Sequence, residues 1–502
     1  MTLSRMVLTV CLSAASIFAF TSSASSTEVE KLSVKQMQAE LALIQEVLET
    51  QHPNLGLHQS KKEFRASFSK TRKELTHSLS PQEYYRIVLP LVAQVRDGHT
   101  CIFMSEEAER KFFYFQNGFP LLLNFLHDRT VVSEESYPFP AGATVTKIDG
   151  RPIEEIVQIL SNYACNDGSN SSSDLYEANK NFPTLYSLAF EEPRTDFILT
   201  FADEKGEESE RRYGGETLSY AAAKYRDGSW LPKPFMWGKK LEESEAFYLR
   251  VRTFLADKGR FAATLESVFK EISDLGVEEL ILDLRGNPGG TIDNASLLLA
   301  YLLNKKHYFP KHIHVPKAKL QPLMDVKKRT DLNSNSKDPV AAANNVLRRI
   351  HRFGGRRKAQ PQGYYVLLTQ RVWGKKAYKD GLHVLIDSGT FSAASMMAAQ
   401  IDLNRKATFY GEPTGGSPNR NCNAPSFFYE LPHSKFRLDV AWACNIQDPN
   451  SKGDLFEPDY FFSDTKPDRR RADRLLTFVQ KVIKDDWAFE KPKPKPARAP
   501  QN

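Results

Sequence analysis

Apolar positions recur at two periods along the 502-residue chain, and the change from one to the other divides it. Near the start, Met37, Leu41, Ile44 and Leu48 repeat at helical spacing. A capping box from Ser33 to Gln36 opens this run and His52-Pro53 stops it. A second helix is predicted from Ser80-Pro81-Gln82-Glu83, with Tyr84, Ile87, Val88, Leu91 and Val95 on one face, a kink at Pro90 and an end at Gly98. From about Phe112 to Tyr213 the pattern shortens to strands and turns. Residues 141–150 alternate and then turn at Asp149-Gly150, and Pro152 to Leu160 reads as a short amphipathic helix.

A third region begins near Glu245. Phe247 to Val251 is a predicted strand, Arg260 to Leu275 a helix, Leu280 to Leu284 a buried strand and Thr291 to Leu303 another helix. Strand and helix alternate again from Leu382 through Tyr410, which predicts an α/β core with mainly parallel strands. Between the two halves, Pro310 to Pro361 is polar, basic and rich in turn formers, and reads as an irregular insertion.

The first residues do not fit a globular pattern. Arg5, an apolar run from Met6 to Phe20 and the small residues Ser22-Ser23-Ala24 make the three-part pattern of a secretory signal cleaved near Ala24. The run, at ~15 residues, is shorter than the ~20 a spanning helix needs. The expectation is an exported protein, periplasmic or secreted, with no integral membrane segment once the signal is removed. Export also changes how the cysteines read. Without Cys11, the four that remain are Cys101, Cys165, Cys422 and Cys444, which permit three connectivities. Pairing of Cys422 with Cys444 across neighbouring strands is the favoured expectation, with free buried thiols as the alternative. Neither a Cys-x-x-Cys pair nor a helical His-x-x-x-His is present, so no metal or redox site is indicated and no cofactor is expected.

Composition is that of a globular protein, 41% hydrophobic and 26% charged. The net charge of +7 does not imply a nucleic-acid partner. Lys491, Lys493, Lys495 and Arg498 lie in a Lys-Pro tail, and six more cations lie between Arg348 and Lys358, which together account for the excess. No zinc finger or aromatic RNA-binding motif accompanies them.

Two strand-turn-helix segments carry candidate chemistry. The strand Leu382 to Asp387 ends at Ser388-Gly389-Thr390, and the alanine-rich helix beyond puts Ser392 at a helix N-terminus. There the dipole and unpaired N–H groups favour a nucleophilic alkoxide and the oxyanion it generates. The bland reading is that Ser392 or Thr390 caps the helix. About a hundred residues earlier, Asp283-Leu284-Arg285-Gly286-Asn287-Pro288-Gly289-Gly290 follows a buried strand. Paired glycines let the backbone turn N–H groups outward, as an oxyanion hole needs, and no phosphate-loop or dinucleotide pattern fits. A serine needs a base. Of eleven histidines, His99 in Asp97-Gly98-His99-Thr100 stands out, following a helix-ending glycine, whereas His383, His433, His312 and His314 have no comparable setting.

Four motifs occur in order: Asp97-Gly98-His99-Thr100, Asp283 to Gly290, Thr390-Phe391-Ser392-Ala393-Ala394 and Gly411-Glu412-Pro413-Thr414-Gly415-Gly416. Together they resemble the tail-specific, C-terminal processing serine peptidase family, and more closely its Ser-His branch, which contains the tricorn core protease and chlamydial protease-like activity factor. The resemblance implies a crotonase-like (ClpP-like) ββα protease core over 240–488, with the insertion at 310–361. An N-terminal helical region over 25–110 would carry His99, a PDZ-like α+β module would occupy 111–215, and a Lys/Pro tail 489–502. In a PDZ reading Gly118-Phe119-Pro120-Leu121 is a poor stand-in for a carboxylate-binding loop.

By position, the resemblance makes Ser392 the nucleophile and His99 the general base. It places the oxyanion hole on the N–H of Ala393 and that of Gly289 or Gly290. The lysine base of the processing branch would fall at Ser417, which leaves the Ser-His version. Two departures stand. The family's Glu three residues after the nucleophile is Ser395 here. Near the expected third triad member the sequence has Lys452, so Asp454 is the preferred acid, with Asp448 and Glu457 as alternatives. The expected activity is that of an exported serine endopeptidase acting on protein or peptide substrates through an acyl-enzyme. The alternative is a catalytically weak or inactive protein on the same scaffold that binds peptide or apolar ligands, as interphotoreceptor retinoid-binding protein resembles. Acyl-CoA chemistry on the crotonase scaffold is the third reading.

Overall fold

The computed structural model describes residues 31–133, 143–168, 170–190, 195–203, 205–225, 233–303, 307–309, 312–316, 357–360, 363–367, 371–372, 377–422, 426–441, 443–446, 455–462 and 473–484. The N-terminal apolar run and the Lys-Pro tail lie outside these residues.

Three helices, Val34–Gln51, Lys61–Glu74 and Pro81–Ala93, open the described chain. Each begins with a full capping box, Ser33 with Gln36, Ser60 with Glu63 and Ser80 with Glu83, in which serine and the third helical residue satisfy one another's backbone N–H groups. The middle helix was absent from the sequence expectation because its buried face is only Phe64, Phe68 and Thr71 within a very polar segment. These helices do not form a core of their own. Met37, Leu41, Ile44, Tyr84 and Val88 share one apolar cluster with Tyr429, Leu431, Phe436, Leu438 and Val440, from a hairpin more than three hundred residues downstream. The strand Cys101–Phe103 pairs antiparallel with Arg437–Ala441 of that hairpin, Cys101 opposite Asp439.

The next unit is richer in helix than its pattern suggests. Its sheet runs in the order Leu123–Phe125, Thr130–Val132, Thr144–Ile148, Asp196–Ala202, Glu208–Gly214. Helices Glu106–Phe115, Ile153–Ser161, Ser171–Ala189 and Leu218–Tyr225 accompany it. The 19-residue helix Ser171–Ala189 corrects the expectation of strands and turns there. Its three leading serines, its internal Pro183 and the non-helical Asn181 hide the periodicity of a buried face that includes Ala178, Phe182, Leu185 and Tyr186. Phe119, Phe182 and Phe197 interlock edge to face, and Tyr225 closes the same cluster, so this core reaches past residue 215.

The third unit is a six-stranded sheet in the order Met236–Lys240, Phe247–Val251, Glu279–Asp283, Gly381–Ile386, Thr408–Gly411, Tyr460–Phe461. Its first pair is antiparallel and the others are parallel. Helices Lys258–Asp274, Ile292–Leu302 and Ala393–Asn404 contribute to the core beneath it, with Leu265, Leu298, Met396 and Ala399 buried against the strands. The parallel strands read as near-continuous apolar runs because both faces are covered. A separate five-stranded sheet takes up the ends of the basic stretch. His312–Pro316 lies between Gly363–Leu367 and Cys444–Ile446, and Arg357–Gln360 pairs beyond. The stretch expected to be irregular from 310 to 361 thus has a strand near each end, and residues 317–356 lie outside those described.

Candidate active site

His99 is set by backbone geometry around it. After the helix Pro81–Ala93 the chain turns at Arg96, whose φ is +57°. Asp97 Oδ1 then accepts the His99 N–H at 2.9 Å, and Asp167 Oδ1 accepts the Gly98 N–H at 2.7 Å. Two residues on, Cys101 is disulfide-bonded to Cys165, so both flanks of the histidine are tied to the segment 165–167. Gly98 is required by contact: a Cβ there would stand 2.6 Å from the ring of Phe391. That ring stacks on the His99 imidazole at 4.9 Å between centroids.

Ser392 arrives from the other side of the fold. It precedes the helix Ala393–Asn404 with φ +54° and ψ −123°, a left-handed conformation that costs a serine roughly 1–3 kcal/mol. Its side chain makes no capping hydrogen bond. Ser392 Oγ instead lies 3.1 Å from His99 Nε2, in a site where serine is nearly buried and the histidine side chain is 15% exposed. Burial pushes the His99 pKa below its usual value, with the Asp97 charge opposing. The imidazole is therefore neutral at pH 7 and able to accept a proton.

The glycine-rich loop is laced to the serine loop. Asp387, at the end of the strand Gly381–Ile386, accepts N–H groups from both Gly286 (2.7 Å) and Gly389 (2.9 Å). Phe391 N–H donates to Asn287 O at 2.9 Å, and Thr390 Oγ1 donates to Leu284 O at 3.0 Å. Gly289, at φ +91°, abuts the nucleophile: a Cβ there would lie 2.7 Å from Ser392 Cβ and 2.8 Å from Ala393 N. The Gly289 N–H donates to Asn287 Oδ1 at 2.9 Å. The Gly289 carbonyl accepts from Phe254 N–H at 2.8 Å, so a trans peptide turns the Gly290 N–H to the opposite side. Beneath the loop, fully buried Arg285 holds Asp283 and Asp473 at 2.6 Å each, and Tyr248 Oη donates to Asp283 at 2.6 Å. The neighbouring Arg250 and Arg285 keep the Asp283 carboxyl well below the usual range despite its burial.

The remaining sequence candidates are distributed as follows. Asp454 and Asp448 lie outside the described residues, and Glu457 is exposed. Among the described residues Asp97 stands beside His99, its Oδ1 3.8 Å from Nδ1. Asp97 was read only as part of a motif; its sequence neighbour at i+2 was the available signal. Ser395 Oγ donates to Ser392 O at 2.8 Å, and Ser417 N–H donates to Asp167 Oδ2 at 2.9 Å. Asp167 and Asp387 were missed, since a single aspartate in a loop has no periodic signature. Cys422 and Cys444 are disulfide-bonded, and Cys101 with Cys165 is the other pair. Donor atoms of Asp97, His99 and Asp167 lie within 4.8 Å of one another. Both Asp167 oxygens already accept backbone N–H groups and both Asp97 oxygens accept from His99 N–H and His52, so this set is filled by protein donors.

A buried serine held against a neutral histidine, with a strained backbone at the serine and glycines behind it, defines the serine hydrolase class. Residues 246–424 match the model of peptidase family S41, the family the motifs resemble, and the match supports a serine peptidase. It includes Gly289, Gly290, Ser392 and Ala393 and leaves His99 outside. Among solved structures the chain is similar to mature CPAF, at 14% identity and a TM-score of 0.62, over 90% of this chain and 97% of that one. It is also similar to mature CPAF complexed with lactacystin, at 15% identity and a TM-score of 0.62, over 90% and 98%. At these identities the likeness is one of fold. No curated protein sequence matches the chain. Among the described residues no helix is long and apolar enough to cross a membrane.

Proposed function

We propose that the protein is an exported serine endopeptidase that hydrolyses peptide bonds through an acyl-enzyme on Ser392. The observation that carries this reading is the 3.1 Å approach of His99 Nε2 to Ser392 Oγ. His99 takes the hydroxyl proton as Oγ attacks the substrate carbonyl, then donates it to the leaving amine; water repeats the sequence to release the acid. The Ala393 N–H, first of its helix, and the Gly290 N–H are the donors proposed for the developing oxyanion, each worth about 3 kcal/mol in such sites. Gly290 is preferred because the Gly289 N–H is engaged by Asn287.

The six-stranded sheet with Ala393–Asn404 is the proposed crotonase-like core, and the sheet-and-helix unit before it the proposed PDZ-like module. Export rests on the sequence pattern from Arg5 to Ala24. A non-hydrolytic binding role is less favoured, because a serine that only packs or caps has no need of a strained backbone facing an imidazole. A fluorophosphonate probe tests the reading. Covalent labelling of the intact chain that is lost in Ser392→Ala and His99→Ala supports an activated serine; a chain that neither labels nor cleaves an unfolded protein is not a serine peptidase.

A further inference from the structure

Around Asp97 lies a small cavity lined by residues from four separate parts of the chain, among them His52, His58, Arg96, Asp97, Asp167 and Arg420. Two of these are joined in a buried pair: His52 Nε2 and Asp97 Oδ2 are 2.7 Å apart, with side chains 1% and 7% exposed. His52 is the C-cap of the first helix, forty-five positions before Asp97, and the peptidase reading assigns it no role.

The hydrogen bonds fix which atom carries the proton. The Asn54 N–H donates to His52 Nδ1 at 3.3 Å, so that nitrogen is an acceptor and Nε2 carries the hydrogen in the neutral ring. His52 Nε2–H then donates to Asp97 Oδ2. Oδ1 of the same carboxylate accepts the His99 N–H, and Asp97 therefore receives donors on both oxygens and is held as an anion. Its pKa is lowered, the hydrogen bond from His52 and nearby charge outweighing burial. On the other side, His99 uses Nε2 toward Ser392, which leaves the neutral imidazole's hydrogen on Nδ1, the nitrogen 3.8 Å from Asp97 Oδ1. Charges at that distance in a buried site interact strongly.

We infer that Asp97 is the positioning carboxylate of His99, supporting the imidazolium that forms when Ser392 attacks, and that His52 holds Asp97 in place for this. The inference rests on the Ser392–His99 reading and adds two residues to it: a line His52, Asp97, His99, Ser392, in which only the last two meet substrate. The 3.8 Å gap makes the Asp97 contribution one of charge and orientation. Asp167 faces the same turn but places both oxygens on backbone N–H groups of Gly98 and Ser417, so it braces the loop. His58, Arg96 and Arg420 are the other titratable groups lining the cavity.

The test pairs a proton readout with a rate readout. In a Ser392→Ala background, the His99 imidazole is titrated by long-range proton–nitrogen NMR, with His99→Ala for assignment. Asp97→Asn, which keeps the acceptor for His99 N–H, should lower the titration midpoint by about one pH unit; an unchanged midpoint overturns the inference. In the active chain, Asp97→Asn should cut kcat by roughly ten- to a hundredfold, part of the ~10²–10⁴ a positioned base supplies. KM should change little and the acidic limb of kcat/KM should move to lower pH. A loss of rate with that limb in place assigns Asp97 a structural role and sinks the proposal. His52→Phe should reproduce part of the Asp97→Asn effect and His52→Gln, which retains an N–H donor, should recover most of it; equal loss in both refutes the part given to His52. If the unmodified chain neither labels nor cleaves, the peptidase reading fails, while the NMR midpoint still decides whether Asp97 acts on His99.

Discussion

His99 Nε2 meets Ser392 Oγ at 3.1 Å across 293 positions of chain, each residue fixed by a different half of the molecule. The histidine stands in a turn between a helix and a strand of the N-terminal region. The serine stands where a parallel strand passes into a helix. A reaction centre split this way acts as a unit. Ser392→Ala and His99→Ala should each lower kcat/KM by about four orders of magnitude or more, and the double variant should be no worse than either single one. Hydrolysis of an unfolded protein by the three variants, with circular dichroism to check folding, measures this.

The direction of the His99 pKa sets the pH profile. Burial favours the neutral imidazole, so protonation that disables the base occurs below the ordinary histidine value of about 6.5. The acidic limb of kcat/KM should lie below that value. The sign for stability follows: the unfolded chain binds a proton that the folded one resists, so folding stability from this group is present above about pH 6.5 and is lost as pH falls through the lowered value. A pH–rate profile with a limb above 6.5 would contradict the burial argument.

Gly289→Ala tests the contact behind the nucleophile. The new methyl would meet Ser392 Cβ at 2.7 Å and occupy a φ of +91°. The serine loop must then shift, and a misplacement near 1 Å costs on the order of a hundredfold in rate. Activity should fall that far while the apparent KM changes less.

Arg285 is the largest fully buried side chain among the described residues and carries a charge shared by two carboxylates. Arg285→Met leaves Asp283 buried with one cation fewer and should cost about 3–5 kcal/mol by denaturant unfolding. Asp473→Asn, at the more open end of the network with 19% of its side chain exposed, should cost distinctly less. Equal losses would show that the network does not distinguish its buried from its outer members.

Cys101→Ala with Cys165→Ala removes a link that closes a loop of 64 positions. Loop entropy alone assigns this about 4 kcal/mol. Since Cys101 is two residues from His99, the variant or a reduced enzyme should lose activity at temperatures where the rest of the fold persists, as read by residual hydrolysis against near-ultraviolet circular dichroism.

What was legible in the chain follows the range over which each feature is encoded. Helix Val34–Gln51 and its Ser33 cap, the strand Phe247–Val251 and the alternation around Ser392 are short-range patterns, and each was readable from a dozen residues. Helix Ser171–Ala189 was not, because it buries a face against neighbours its own polar sequence does not advertise. The Ser392 position was legible, but its left-handed backbone was not, since the close approach of Gly289 and Gly416 to it comes only with assembly of the fold. Asp97 sat inside a recognised motif, yet its relation to His52 depends on how the first helix ends against the turn at Arg96, which only assembly fixes.

The pairing of Cys101–Phe103 with Arg437–Ala441 has a consequence for the newborn chain. His99 precedes the strand that docks beside it, Arg437–Ala441, by more than three hundred positions. A polypeptide synthesised as far as Ser392 therefore holds His99 without the strand that docks beside it. On the proposed peptidase reading, His99 and Ser392 can meet only once the hairpin containing Arg437–Ala441 has closed over the early helices.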